Sequence, residues 1–321
     1  MNIVMTLLLR FGSECRVALQ LALFAAIAMV MVRAGLPGQA VIALGWRGAD
    51  DPSAVLNWLA ALLVCGLAYA LWLFVKTLGR RQQIVASWMF LIALLLLFFY
   101  SFDLSFAFIA RKIGFLITQG VVTTMYISLL SISIASTIAL IGAIAKRSEN
   151  GMVYGLATFY TSLFRGLPLL MQVYIIYLGL PQIGIVIDAV PAGITALSLC
   201  YGAYMTEIFR AGIESIHKGQ WEGATALGLT RGQTMGLVIL PQALRVIIPP
   251  TGNQFISMLK DSSLVSVVGV WELMYLSRTM GQTEFRHIEM LITASLIYWV
   301  LSMGLELVQS RIEERFRTES R

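Results

Sequence analysis

The sequence is a succession of apolar runs, each about as long as a lipid bilayer is thick, separated by short segments that hold most of its charge. A spanning helix needs about 20 mostly apolar residues, because in lipid every backbone amide must find its partner inside the segment. Residues 17–32, 56–75 and 84–102 are runs of this kind in the first third of the chain. Residues 118–145, 168–187, 191–206, 237–259 and 288–308 are further ones in the remainder. Such a chain is expected to fold as an all-α, polytopic transmembrane helical bundle. Composition agrees: 58% of the 321 residues are hydrophobic and 12% charged, the latter about half the ~25% of a soluble domain.

The net charge of +6 is carried mainly by short segments between apolar runs. Orientation in a membrane explains that placement without nucleic acid. Cys15, Cys65 and Cys200 are odd in number and far apart, and they form neither a disulfide framework nor a metal-ligand spacing. His217 and His287 are isolated, so no metal site is expected. There is no G-x-x-x-x-G-K-[ST] phosphate loop, so if ATP drives this protein another chain binds it.

Arg10 and Arg16 precede the first apolar run, as in a signal peptide, yet Arg33-Ala34-Gly35-Leu36-Pro37 offers no clean small-x-small cleavage site and an uncleaved helix is favoured. The run over 118–145 carries Ser128, Ser131 and Ser136, small enough for close helix approach, and ends at the basic loop 146–151. Arg165-Gly166-Leu167-Pro168 is expected to break the next helix. Pro249-Pro250 interrupts the span over 237–259, which places a translocation path near that helix, and residues 265–275 read as a stretch that dips into the membrane.

The longest polar interruption runs over 207–240. It opens with Glu207 and Arg210, three apart and able to pair on a helix. Lys218-Gly219-Gln220 then leads into a two-turn helix over 221–227, and Gly228 stands where a left-handed C-terminal cap would fall. A helix this short is unstable alone in water and must lie against protein. Trp221, Ala224, Thr225 and Gly228 fall along one side, a small-residue surface with one aromatic anchor for another protein to grip.

Glu222-Gly223-Ala224, Gly228 and Ile239-Leu240-Pro241 resemble the EAA loop in the membrane subunits of binding-protein-dependent ABC importers. Glu207-Ile208-Phe209-Arg210-Ala211-Gly212, Leu240-Pro241-Gln242-Ala243-Leu244-Arg245 and the stretch 255–264 resemble the polar amino-acid (histidine, glutamine, glutamate) branch. Residues 164–170 are similar to its FRGTPLL phrase, with Leu167 in place of Thr, so no role of that hydroxyl carries over. Gly223 replaces the usual Ala, at about 0.8–1.0 kcal/mol of helix propensity.

The resemblance covers residues 113–315 and implies a five-helix, MetI-like permease core; the apolar runs ahead of it make residues 1–112 an extension of about three extra transmembrane helices, and a cytoplasmic tail is expected over 316–321. The resemblance implies that Lys218, Gly219, Trp221, Glu222, Gly223, Ala224 and Gly228, in a loop near 218–230, form a coupling helix docked on a separate ATPase. Arg165, Pro168, Pro249, Pro250 and Asn253 are the residues expected along the path. The partners implied are two ABC ATPase subunits, which would bind ATP and Mg, a second permease copy or paralogue, a periplasmic or lipid-anchored solute-binding protein, and membrane lipid. No cofactor or catalytic residue is expected in this chain.

With the polar loop in the cytoplasm, Arg80, Arg81, Lys146, Arg147, Arg231 and the basic residues after Gln309 lie inside, where an excess of Lys and Arg belongs. Both termini of an eight-span protein are then cytoplasmic, in a bacterial inner membrane. An ion-coupled secondary transporter would need ionisable groups near mid-bilayer, and these runs carry almost none. An intramembrane enzyme would need a convergent catalytic set, and none is visible. An opine or cystine is the alternative substrate within the same family.

Overall fold

A helix in lipid gains little from hiding apolar side chains, so what joins these helices is close packing and polar contact. The computed structural model describes residues 77–100 and 104–316, together with Gly66 and Leu73, and among them there is no strand. Nine helices carry the described chain: α1 Arg80–Tyr100, α2 Phe106–Ala145, α3 Gly151–Gly166, α4 Leu169–Ile183, α5 Ala189–Glu214, α6 Lys218–Ala226, α7 Arg231–Val268, α8 Leu273–Thr283 and α9 His287–Phe316. The chain divides into two compact units, Met1–Ser101 and Phe102–Arg321. The division expected at 112/113 therefore falls inside α2, which is continuous from Phe106.

Among the described residues α2, α7 and α9 are each long and apolar enough to cross a membrane, and α3 with α4, bent by 106° at their junction, would count as one more. The expected segments 17–32 and, but for Gly66 and Leu73, 56–75 lie outside the described residues. The third, 84–102, corresponds to α1. α2 begins twelve residues before the expected 118. Its first turns carry Lys112, whose ammonium meets Glu284 at 2.9 Å and holds that carboxyl below the usual carboxylate range.

α5 is the hub of the second unit, packed against α2, α3 and α7. Its buried side includes Ala192, Ala196, Leu197, Tyr201 and Met205, and α2 brings Ile127, Ala135, Ala139 and Ala143 to the same core. Small residues on α2 let the two backbones approach, as Ser128, Ser131 and Gly142, all buried, also indicate. At the α5–α7 crossing a Cβ on Gly212 would fall 2.4 Å from Ile247 Cγ1. Only glycine fits that contact.

The stretch 265–275, expected to dip into the membrane, is built from a 3₁₀ segment, Ser262–Val268, a left-handed turn at Gly269 (φ 84°), and the start of α8. Buried Glu272 caps α8, accepting from Met274 N at 2.8 Å and Tyr275 N at 2.7 Å, and Tyr298 of α9 donates to the same carboxylate at 2.8 Å. Glutamate is not a favoured N-cap, so the sequence gives little sign of this helix. At its other end α9 continues helically to Phe316, well past the expected span boundary at 308.

Candidate functional site: a short terminal helix and a cavity at a broken helix

α6 is held against the end of the bundle where α2 stops. The His217 ring caps it, accepting from Gly219 N at 3.1 Å. Its far end is a Schellman turn: Gly228, at φ 76°, donates to Thr225 O at 2.9 Å, and Leu229 N reaches Ala224 O at 3.2 Å. The left-handed residue thus stands where the sequence placed it. Gln242 of α7 donates to Gln220 at 3.0 Å, and Arg231 pairs with Glu149 at 2.8 Å across the neighbouring loops.

The gripping face needs correction in part: Thr225 and Gly228 stay exposed, but Trp221 and Ala224 turn inward. Ala224 is buried and Trp221 packs on the chain's own core, with the Arg147 guanidinium 4.9 Å above the indole ring. Trp221 is the largest apolar surface on α6, and covering it internally while Arg147 stacks on it is favourable. The side left exposed holds Gly219, Glu222, Gly223 and Ala226, followed by Leu227 at 82% exposure. A Cβ on Gly223 would meet nothing within 4 Å, so this chain does not itself require a glycine there. Lys218 and Glu222 form a solvent-facing pair at 3.3 Å.

The second feature lies where α3 breaks before α4. Leu167 leaves the helix with an extended backbone, and Pro168 starts the next one without a donor of its own. Gln172, almost wholly buried, turns its amide back and donates to Phe164 O and Leu167 O, each at 2.9 Å. Carbonyls at the break are thereby satisfied from within the chain. Beside the break is a cavity of about 440 Å³ lined by Arg165, Gly166, Pro168, Tyr201, Tyr204, Gln254 and Asp261, among others. Arg165 lies 5.4 Å over the Tyr204 ring, and Tyr201 donates to Asp261 at 2.7 Å.

Of the residues expected along a path, Arg165 and Pro168 meet at this cavity. Pro249, Pro250 and Asn253 are not among its lining residues; Gln309 of α9 donates to Pro249 O at 3.1 Å and to Asn253 Oδ1 at 3.2 Å. Tyr201, Tyr204, Gln254 and Asp261 were missed. From the sequence Lys260-Asp261 mark the end of a span, and the α-helical part of α7 does end at Asp261, before the 3₁₀ segment Ser262–Val268. The one available signal was an acid in the short polar stretch Lys260-Asp261-Ser262-Ser263 at the end of an apolar run, with a pair of tyrosines spaced i, i+3 on α5.

Residues 137–318 match the family described as "Binding-protein-dependent transport system inner membrane component". The chain belongs to this family. The matched stretch contains both the short helix and the broken one. An arginine transport system permease protein, ArtQ, of Bacillus subtilis (strain 168) is 37% identical over 217 residues, 67% of this chain and 99% of that protein. The L-cystine transport system permease protein TcyB of the same organism is 40% identical over 201 residues, 62% of this chain and 86% of that protein. A solved amino acid ABC transporter superposes on the permease with a TM-score of 0.62 at 35% identity, over 66% of this chain and 99% of that one. An inward-facing methionine transporter, at 20% identity and a TM-score of 0.56, shares the fold over 64% of this chain.

Proposed function

We propose that this permease forms one half of the pathway of an ATP-driven importer for polar amino acids. The observation that carries the substrate class is the cavity at the helix break, where Arg165 and the Tyr201-bonded Asp261 share one polar space. A guanidinium matches an amino acid's carboxylate and an aspartate its ammonium group, while Tyr204 gives the remainder an aromatic wall. The names of relatives point the same way, to arginine and cystine as well as to glutamine in Rickettsia typhi. Cystine, a double amino acid, fits the same chemistry.

In this reading two ATPase subunits, which bind ATP and Mg, dock on the exposed side of α6. A second permease copy or a paralogue completes the pathway within the lipid. A solute-binding protein, free in the periplasm or lipid-anchored, delivers the amino acid at the opposite end. Pro249, Pro250 and Asn253 belong to the wall further along the path. Purified permease alone in proteoliposomes is expected to show no ATP-dependent uptake, and addition of its ATPase and loaded binding protein to restore uptake of labelled L-arginine, L-glutamine or L-cystine. Robust uptake without any ATPase would revive a secondary transporter and sink the importer.

The α6 end is read as cytoplasmic, because Lys146, Arg147, Lys218, Arg231, Arg311 and Arg315 gather on the segments assigned to that side. With eight spans both termini share that side. Reporter fusions at Gly48 and at the C-terminus are expected to report opposite faces of the membrane; the same face for both would refute the topology.

A further inference from the structure

The two halves of the site are joined by an unbroken run of charged side chains. At the α6 end, Arg147 covers Trp221 and reaches Glu214 at 3.9 Å. Glu214 accepts from Arg210 at 2.6 Å, and Arg210 donates onward to Glu207 at 2.9 Å. Glu207 also accepts from Lys146, which donates a second bond to Thr161 at 2.9 Å, so α2, α3 and α5 are pinned at one point. From there Glu207 faces Arg165, on the cavity, at 3.7 Å.

These contacts are unequal in a way that matters. The inner ones, on Glu207 and on Arg210, are within hydrogen-bond distance, and the Lys146 side chain is only 9% exposed, so its charge depends on Glu207. The two end contacts, 3.9 Å at Arg147 and 3.7 Å at Arg165, are longer than a hydrogen bond. A stiff centre with a loose joint at either end can pass on a displacement without being pulled apart. Its ends meet the helix read above as the ATPase contact and the cation read above as the substrate contact.

We propose that the Glu207 cluster is the joint through which displacement of α6 resets Arg165, with Glu207 as a positioning residue for the cavity's cation. The proposal rests on the importer reading and adds the route by which the two sites communicate. Electrostatics supplies the reason for an acid at this point. Lys146, Arg210 and Arg165 converge on one carboxylate, and without its charge the three cations repel and Arg165 loses its fixed place.

The experiment uses the complete transporter in proteoliposomes, with permease, ATPase and binding protein, and reads labelled L-arginine, L-glutamine or L-cystine imported per ATP hydrolysed. Glu207→Gln and Arg147→Met are each expected to lower that ratio by about fivefold or more, and Glu207→Asp to recover part of it. The double variant Glu207→Gln/Arg147→Met is expected to be no worse than the poorer single one, because both cut the same route. Should Glu207→Gln fail to accumulate, Arg147→Met decides alone, since its side chain is 31% exposed and no buried charge is left behind. An unchanged ratio in Arg147→Met, or losses that multiply in the double variant, would overturn the joint. Absence of ATP-dependent import by the wild type would overturn the importer reading and the joint with it.

Discussion

Replacing Gly228 with valine is expected to abolish the ATP hydrolysis stimulated by loaded binding protein while the permease still accumulates in the membrane at its normal abundance. At φ 76° the backbone sits where a β-branched side chain is strained, although a Cβ there would meet nothing within 4 Å. The cost, roughly 1–3 kcal/mol, is therefore entirely conformational. Unwinding the turn relieves it. That gives up the bonds from Gly228 N to Thr225 O and from Leu229 N to Ala224 O, and with them the fixed end of α6. None of these atoms belongs to a spanning helix, so insertion is spared. Gly228→Asn is the control, because asparagine tolerates the left-handed region and should keep most of the stimulation. The measurement pairs permease abundance with stimulated hydrolysis in proteoliposomes, and full stimulation in Gly228→Val would reduce α6 to an ordinary surface loop.

Gly212→Leu should damage the bundle itself. The first atom added would lie 2.4 Å from Ile247 Cγ1, with Ala243 O at 3.7 Å behind it. Ile247 is 2% exposed and β-branched, with one strongly preferred rotamer on a helix, so it cannot swing aside. The relief left is for α5 and α7 to separate, and overpacking of this kind costs typically about 1–3 kcal/mol. A lower thermal midpoint in detergent is the expected readout, with Gly212→Ala intermediate. Adding Ile247→Ala should recover part of the loss, because it vacates the space the new side chain needs. An unchanged midpoint in Gly212→Leu would mean that the α5–α7 spacing is soft.

The two positions also show what can be read from a sequence and what cannot. Gly228 was legible because the need for a left-handed residue at a helix end is local: a helix-forming run, then a glycine, names the turn without any knowledge of its surroundings. The apolar runs were legible for a similar reason, since lipid imposes the same length on every spanning segment. Arg165-Gly166-Leu167-Pro168 announced a break because proline's missing donor is a property of the residue itself. Local rules of this kind established an all-helical membrane chain with a polar loop and a broken helix.

Tertiary structure decided whatever depends on which residues meet across the bundle. Gly212 looks like any helical glycine until α7 brings Ile247 onto it. The side of α6 that stays exposed was chosen by Arg147, seventy-four positions before Trp221 in the chain, because covering the indole there hides more apolar surface than turning Ala226 inward would. Gln172 closes a break behind it in the chain, and Tyr201 finds Asp261 sixty residues away. Glu207 was expected to pair with Arg210, three residues on, but sequence spacing gave no hint that Lys146 and Arg165 converge on the same carboxylate. Helical periodicity reports neighbours within about four residues. Contacts between helices depend instead on how their axes cross, and that is fixed by the small residues at which α2, α5 and α7 approach.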